Sequence, residues 1–229
     1  MYSAIFMDFS TTKPVNPKIL KNIIFDFGGV IINIDYRLTA RAFEKLGVDN
    51  FENLFSQKAQ SHLFDKLETG KIALPDFRNE LRDIMNLNPS DEQIDAAWNA
   101  MLLDYPKHRL DFLRNIQQHY RTFLLSNTNQ IHKDCYYRSL HNEHSFNNLD
   151  VLFEKLYFSH EVGLRKPDPA IYKLVLDQNR LKPEETLFID DSLQNLATPQ
   201  SLGIQVYHLA NGEDIVDFAK NTLNFTGIE

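Results

Sequence analysis

The 229-residue chain has a single cysteine, Cys135, which excludes an internal disulfide and any multi-thiolate metal cluster. Set among Lys133, Asp134, Tyr136 and Tyr137, that thiol would need a base beside it to act as a nucleophile, and it reads as a passive helix residue. No apolar run approaches the roughly 20 residues that span a bilayer. Met1 to Asp8 lack a basic n-region, and Asp8 cuts their apolar stretch short of a signal-peptide core, so the expectation is a soluble, unexported, cytoplasmic protein. Net positive charge is missing too. Asp and Glu number 31 against 24 Lys and Arg, a balance of −7 that repels polyanions and argues against nucleic acid as a partner. What is there is an ordinary globular composition, 43% hydrophobic and 24% charged, at a length that suits a main domain with a modest insertion. A monomer or weak homo-oligomer is expected.

Residues 1–21, carrying Ser10, Thr11, Thr12, Pro14 and Pro17, read as an irregular leader. Ile23-Ile24-Phe25 then leads into Asp26-Phe27-Gly28-Gly29-Val30, a short apolar strand that stops at a carboxylate and two glycines, as strands buried on both faces do. From about Tyr36 to Tyr105 the periodicity is helical. Leu38, Ala42, Phe43 and Leu46 form one stripe; Phe77, Leu81, Ile84 and Met85 a second; Ile94, Ala97, Trp98, Met101 and Leu102 a third. Beyond it, strands at 122–126, 155–159, 186–190 and 204–208 alternate with helices at 130–140, 169–178, 193–202 and 213–222. This alternation predicts right-handed crossovers and an α/β, Rossmann-like, mostly parallel sheet with helices on both faces. The expected division is an α/β core of 22–35 and 106–229, with an all-helical insertion of 36–105.

Such sheets bind ligands beyond the carboxyl ends of their strands, where strand order reverses. Polar residues fall at those ends: Asp26, Ser126 with Asn127, and Asp190 with Asp191, while Lys166 lies in the loop before the helix that opens near Pro169. Three carboxylates at one edge repel unless a cation sits among them, and all-oxygen ligation points to Mg²⁺. Taken singly, each Asp reads as a helix cap. Together with a hydroxyl and free N–H groups at 126–127, a lysine, and glycines at 28 and 29 that admit a ligand, they suit phosphoryl transfer.

Asp26-Phe27-Gly28-Gly29-Val30, Ser126-Asn127-Thr128-Asn129, Arg165-Lys166-Pro167 and Asp190-Asp191-Ser192, in that order, resemble the four motifs of the haloacid dehalogenase superfamily, from about residue 22 onward. The resemblance implies that 36–105 is a helical cap. It further implies that Asp26 is a nucleophile forming an aspartyl-phosphate and that Asp26, the Gly28 carbonyl, Asp191 and Asp190 hold Mg²⁺. Ser126 and Lys166 would act on the transferring group, with Phe27, Gly28 and the Asn127 backbone as further substrate contacts. The expected partner is a small phosphorylated metabolite.

The chain departs from the usual phosphatase pattern at one position. Where most such enzymes carry a second Asp as general acid, two residues after the nucleophile, this sequence has Gly28. A positioned acid contributes about 10²- to 10⁴-fold in rate. Asp35, His62, Glu68 and His132 are the substitute candidates. Asp35 reads as a hinge or turn residue, His62 and Glu68 as a solvated helix face, and His132 as structural. Gly at this position with Ser-Asn-Thr-Asn and Arg-Lys-Pro resembles a bacterial branch that includes a glucose-1-phosphate phosphatase, which adds sugar phosphates to the candidate substrates. A dehalogenase and a non-catalytic phosphometabolite-binding module are the alternatives. Phe64, Trp98, Met101 and Leu102 are read either as lining the insertion's inner face or as its core, and Phe51, Leu54 and Phe55 as core or an oligomer contact.

Overall fold

The computed structural model describes residues 14–49, 51, 62–144 and 148–226. Its centre is a five-stranded parallel sheet of β1 (Asn22–Phe25), β2 (Arg121–Ser126), β3 (Lys155–Phe158), β4 (Thr186–Asp190) and β5 (Gln205–His208). The strand order is β3-β2-β1-β4-β5. The order reverses beside β1, so the crevice of a doubly wound sheet opens at its carboxyl end. Phe25 is level with Leu124 on β2 and with Ile189 on β4. One residue further on, Asp26 falls level with Asp190, and the Asp26 N–H donates to the Ile189 carbonyl at 2.8 Å.

The central strands β1, β2 and β4 are apolar on both faces because both faces are covered, whereas the edge strands β3 and β5 are only partly buried. Alternate residues Ile23, Phe25, Leu124, Leu187 and Ile189 pack on one side, and Ile24, Phe123, Leu125 and Phe188 on the other. The described helices are α1 (Tyr36–Lys45), α2 (His62–Glu68), α3 (Leu74–Met85), α4 (Asp91–Asn99), α5 (Lys107–Ile116), α6 (Gln130–His144), α7 (Ser159–Val162), α8 (Pro169–Asn179), α9 (Ala197–Ser201) and α10 (Ile215–Thr222). Leu110 and Leu113 of α5 and Ile215 and Phe218 of α10 join the first side, and Ile171, Tyr172 and Val175 of α8 the second. None of these described helices is long and apolar enough to cross a membrane.

Two expectations change. Residues 193–202 do not form one helix but a 3₁₀ turn, Leu193–Asn195, followed by α9. In a continuous helix Pro199 would leave the Asn195 carbonyl without its i+4 donor. That carbonyl instead accepts the Tyr172 hydroxyl at 2.8 Å. Helix α5 was not anticipated, although Leu110, Leu113 and Ile116 recur at helical spacing after Pro106. The leader's described part is irregular but anchored. Leu20 is buried in the sheet's first cluster, and the Lys21 backbone bonds to the Glu185 carbonyl and the Arg121 N–H, both at 2.9 Å.

Helices α1 to α4 bury Phe43, Leu63, Phe64, Phe77 and Trp98 in a third cluster that takes in Ile131 of α6. Phe64 and Trp98 therefore pack this cluster rather than an open face. Phe51 stacks on Phe43 at 4.1 Å, while Leu54 and Phe55 lie outside the described residues. Leu102 packs against the sheet's first cluster. The chain enters and leaves this helical segment along two antiparallel stretches, with Asp35 N–H bonded to Met101 O at 2.9 Å and Leu103 N–H to Asn33 O at 3.0 Å. Trp98 lies flat between Phe64 at 5.1 Å and His132 of α6 at 5.4 Å.

Candidate active site

Asp26, Ser126 and Asp190 at the strand ends and Lys166 in the loop before α8 are all buried. Lys166 Nζ lies 2.7 Å from Asp26 Oδ1 and 2.7 Å from Asp190 Oδ2, with Lys166 only 1% exposed. An ammonium this deeply buried needs such partners, since charge desolvated without compensation is too costly to keep. The loop that carries it is clasped by Asn127, whose side-chain N–H donates to the Lys166 carbonyl at 2.9 Å and whose Oδ1 accepts the Lys166 N–H at 2.8 Å. Asn127 was expected to act through its backbone; its side chain is committed to orienting the lysine. Asp168 caps α8 on the far side of the loop, accepting the Ala170 N–H at 2.8 Å.

Asp190 Oδ1 accepts the Ser192 N–H at 2.8 Å, and Asn195 Nδ2 donates to both of its oxygens at 3.1 Å. Asp191 is half-buried beside it, its carbonyl accepting from His208 Nε2 at 3.0 Å. Gly29 has φ +74°, and a Cβ there would overlap Asp191 Oδ2, so both its backbone and its neighbour require glycine. At Gly28 a Cβ would stand 3.2 Å from Ile34 Cδ1. Phe27, expected to contact substrate, instead turns its side chain into the sheet's first cluster against Tyr136, ring centroids 4.7 Å apart. Asn129 Oδ1 accepts the His132 N–H at 3.0 Å at the start of α6, beside the buried Ser126.

The electrostatics show what the site lacks. Burial, then Asp190, push the Asp26 carboxyl up to about 8 against the pull of Lys166. Burial and Asp190 raise Asp191 to about 6. Burial works against charge on Lys166, but Asp190 and Asp26 outweigh it and its affinity for a proton rises. Asp26, Asp190 and Asp191 each bring one oxygen to within 4.8 Å of the others. One lysine cannot neutralise three carboxylates. An all-oxygen donor set in negative surplus fits a hard divalent cation such as Mg²⁺.

The substitute acids separate cleanly. Asp35 caps α1 and pairs with Arg37 at 2.8 Å, and that hydrogen bonding keeps its carboxyl low. His132 is driven by burial down to about 3 and is a neutral ring held to Asn99 Oδ1 at 2.9 Å. His62 is exposed at the start of α2. Glu68 does not sit on a solvated face as expected. Its Oε2 is sequestered and lies 3.0 Å from Arg165 Nη2, and burial raises its carboxyl although Arg165 and Lys166 oppose the rise. The sequence reading also passed over Tyr36. Tyr36 opens α1 with 58% of its surface exposed, and desolvation followed by Asp191, Asp26 and Glu68 pushes its phenol up. The only sequence signal was a Tyr opening the first helix after the entry strand.

A doubly wound parallel sheet with a lysine between carboxylates at its switch point belongs to a hydrolase class whose sequence profile matches this chain. Residues 20–203 match the haloacid dehalogenase-like hydrolases, and the chain belongs to that family. The chain is 32% identical to a D-ribitol-5-phosphate phosphatase of Bacteroides thetaiotaomicron, over 85% of this chain and 94% of that one. A haloacid dehalogenase family enzyme of the same organism, solved with magnesium and inorganic phosphate, superposes with a TM-score of 0.80 at 39% identity, over 87% and 98% of the two chains. A haloacid dehalogenase-like hydrolase of Porphyromonas gingivalis superposes with a TM-score of 0.82 at 33% identity, over 91% and 100%.

Proposed function

We propose that the protein is a Mg²⁺-dependent phosphatase of small phosphorylated metabolites, with sugar and sugar-alcohol phosphates foremost, working through an aspartyl-phosphate at Asp26. The observation that carries this reading is Lys166 Nζ placed 2.7 Å from both Asp26 and Asp190, with Asp191 completing a three-carboxylate donor set. The relatives' phosphate-ester chemistry and bound magnesium support it.

Asp26, the Gly28 carbonyl and Asp191 would hold the cation, with Asp190 assisting directly or through water. A cation held there would supply positive charge that offsets carboxylate repulsion, favours the ionised form of Asp26 and neutralises charge on the phosphoryl oxygens. Asp26 attacks phosphorus in line; Lys166, the Ser126 hydroxyl and the Asn127 N–H hold the phosphoryl oxygens as charge spreads onto them. Helices α1 to α4 act as a cap that keeps water from the nucleophile during transfer and admits it for hydrolysis of the acyl phosphate.

The test is a screen of phosphate monoesters and acyl phosphates with and without Mg²⁺, repeated with Asp26→Asn. Mg²⁺-dependent turnover lost in Asp26→Asn is expected. Stoichiometric binding without turnover would make the protein a binding module, and hydrolysis of 2-haloacids surviving EDTA would make it a dehalogenase.

A further inference from the structure

An alkyl phosphate departs as a strongly basic alkoxide that needs a proton, and Gly28 has no side chain to give one. Among the charged groups around the cleft, Asp35 is tied to Arg37, His132 is a neutral packed ring, and the Asp190 oxygens are taken by Lys166, Ser192 and Asn195. Glu68 is differently placed. It ends α2, and the turn after it presses so closely on the α/β domain that a Cβ on Gly70 would overlap the His160 carbonyl oxygen. Arg165 spans the same gap, one guanidinium nitrogen on Asp65 and the other 3.0 Å from Glu68 Oε2. Because Arg165 directly precedes Lys166, the Glu68 carboxyl is anchored one residue from the lysine that touches the nucleophile.

Resting on the phosphatase reading, we propose that Glu68 is the general acid that protonates the leaving-group oxygen, carried to the cleft by the inserted helices and oriented by Arg165. Arg165 contacts it at 3.0 Å, Asp65 and Lys166 act on its charge, and its charge in turn acts on the Tyr36 phenol of α1. Burial raises its carboxyl, which favours the protonated form an acid catalyst must start from. In the first step the Asp26–phosphorus bond forms and the phosphorus–oxygen ester bond breaks, while the Glu68 proton passes to the departing oxygen and yields a neutral alcohol. In the second, water attacks phosphorus, the acyl-phosphate bond breaks to free Asp26, and the water proton returns to Glu68.

The test compares kcat/KM of wild type and Glu68→Gln on p-nitrophenyl phosphate, whose leaving group departs without a proton, and on phenyl phosphate and glycerol 3-phosphate, whose leaving groups do not. With Mg²⁺ present, Glu68→Gln should lose about 10²- to 10⁴-fold on the basic leaving groups and less than about tenfold on p-nitrophenyl phosphate. Equal losses on all three esters, or no loss, would overturn the assignment. Should Glu68→Gln not fold, Arg165→Met should show the same leaving-group-selective loss, and a uniform loss or none would overturn it likewise. Wild-type turnover of p-nitrophenyl phosphate that vanishes in Asp26→Asn tests the phosphatase reading separately. Its absence sinks both.

Discussion

Replacing Lys166 with Met removes one charge from the most buried ionic contact of the site while nearly keeping its volume, so the loss should be electrostatic rather than one of packing. The lysine is 1% exposed and touches two carboxylates at 2.7 Å. Removing one partner of a buried pair costs about 3–5 kcal/mol, because the remaining charge is left desolvated. Two features place this case at the lower end. Asp26 already holds its proton up to about 8, so it is largely neutral at pH 7 without metal, and Asp190 keeps hydrogen bonds from Ser192 and Asn195. A loss of about 3 kcal/mol lowers Tm by roughly 6–12 °C in a chain of this size. The assay is thermal melting at pH 7 in EDTA. Saturating Mg²⁺ should narrow the gap, since a cation among the same carboxylates replaces part of the missing charge. A drop below about 1 kcal/mol would refute the argument, because a buried lysine between two desolvated carboxylates cannot be that dispensable.

The Asp26 carboxyl is raised from 3.8 to about 8 in the folded protein, so the stability it contributes is full below about 4 and is lost as pH rises towards 8. In EDTA, wild type should therefore lose stability relative to Asp26→Asn across that window, and a Tm difference independent of pH would contradict the assignment. Gly29→Ala forces a side chain into φ +74° and onto Asp191 Oδ2. It should cost about 1–2 kcal/mol of backbone strain and weaken Mg²⁺ binding by about 10- to 100-fold in calorimetry, and unchanged affinity would mean that Asp191 is not a ligand. Trp98→Ala empties the slot between Phe64 and His132. Urea unfolding should show a loss of about 3–5 kcal/mol, and a loss under about 1 kcal/mol would show that this stack does not tie the inserted helices to α6.

The central strands β1, β2 and β4 were legible because they are buried on both faces, which leaves a short apolar run ending in a polar residue, and Asp26, Ser126 and Asp190 could be read directly at those ends. The break at Asn195 was not, because it depends on partners far away in sequence: Asp190, which the side chain serves, and Tyr172, which the carbonyl accepts. Asn127 was read for its backbone because nothing local reveals a side chain clasping a loop 39 residues away. Glu68 and Tyr36 were misjudged or missed for one reason. Periodicity places a residue on a helix face, but only the packing of α1 and α2 against the rest of the fold decides whether that face meets water.

A phosphatase site of this kind needs two carboxyl groups in opposite states at one pH: a nucleophile without its proton and an acid with one. Environments that push paired titratable groups apart are how proteins divide such roles. Asp26 lies among oxygen donors that call for a cation, and positive charge there favours its ionised form. Glu68 lies outside that donor set, desolvated against Arg165, where burial favours its neutral form. An Asp at position 28 would have stood beside the same cation-binding cluster and crowded Ile34 on the entry strand. With glycine there, the proposed acid would come from the inserted helices, so that on this reading the proton donor and the barrier to water would arrive together and protonation of the leaving group would depend on closure over a bound substrate.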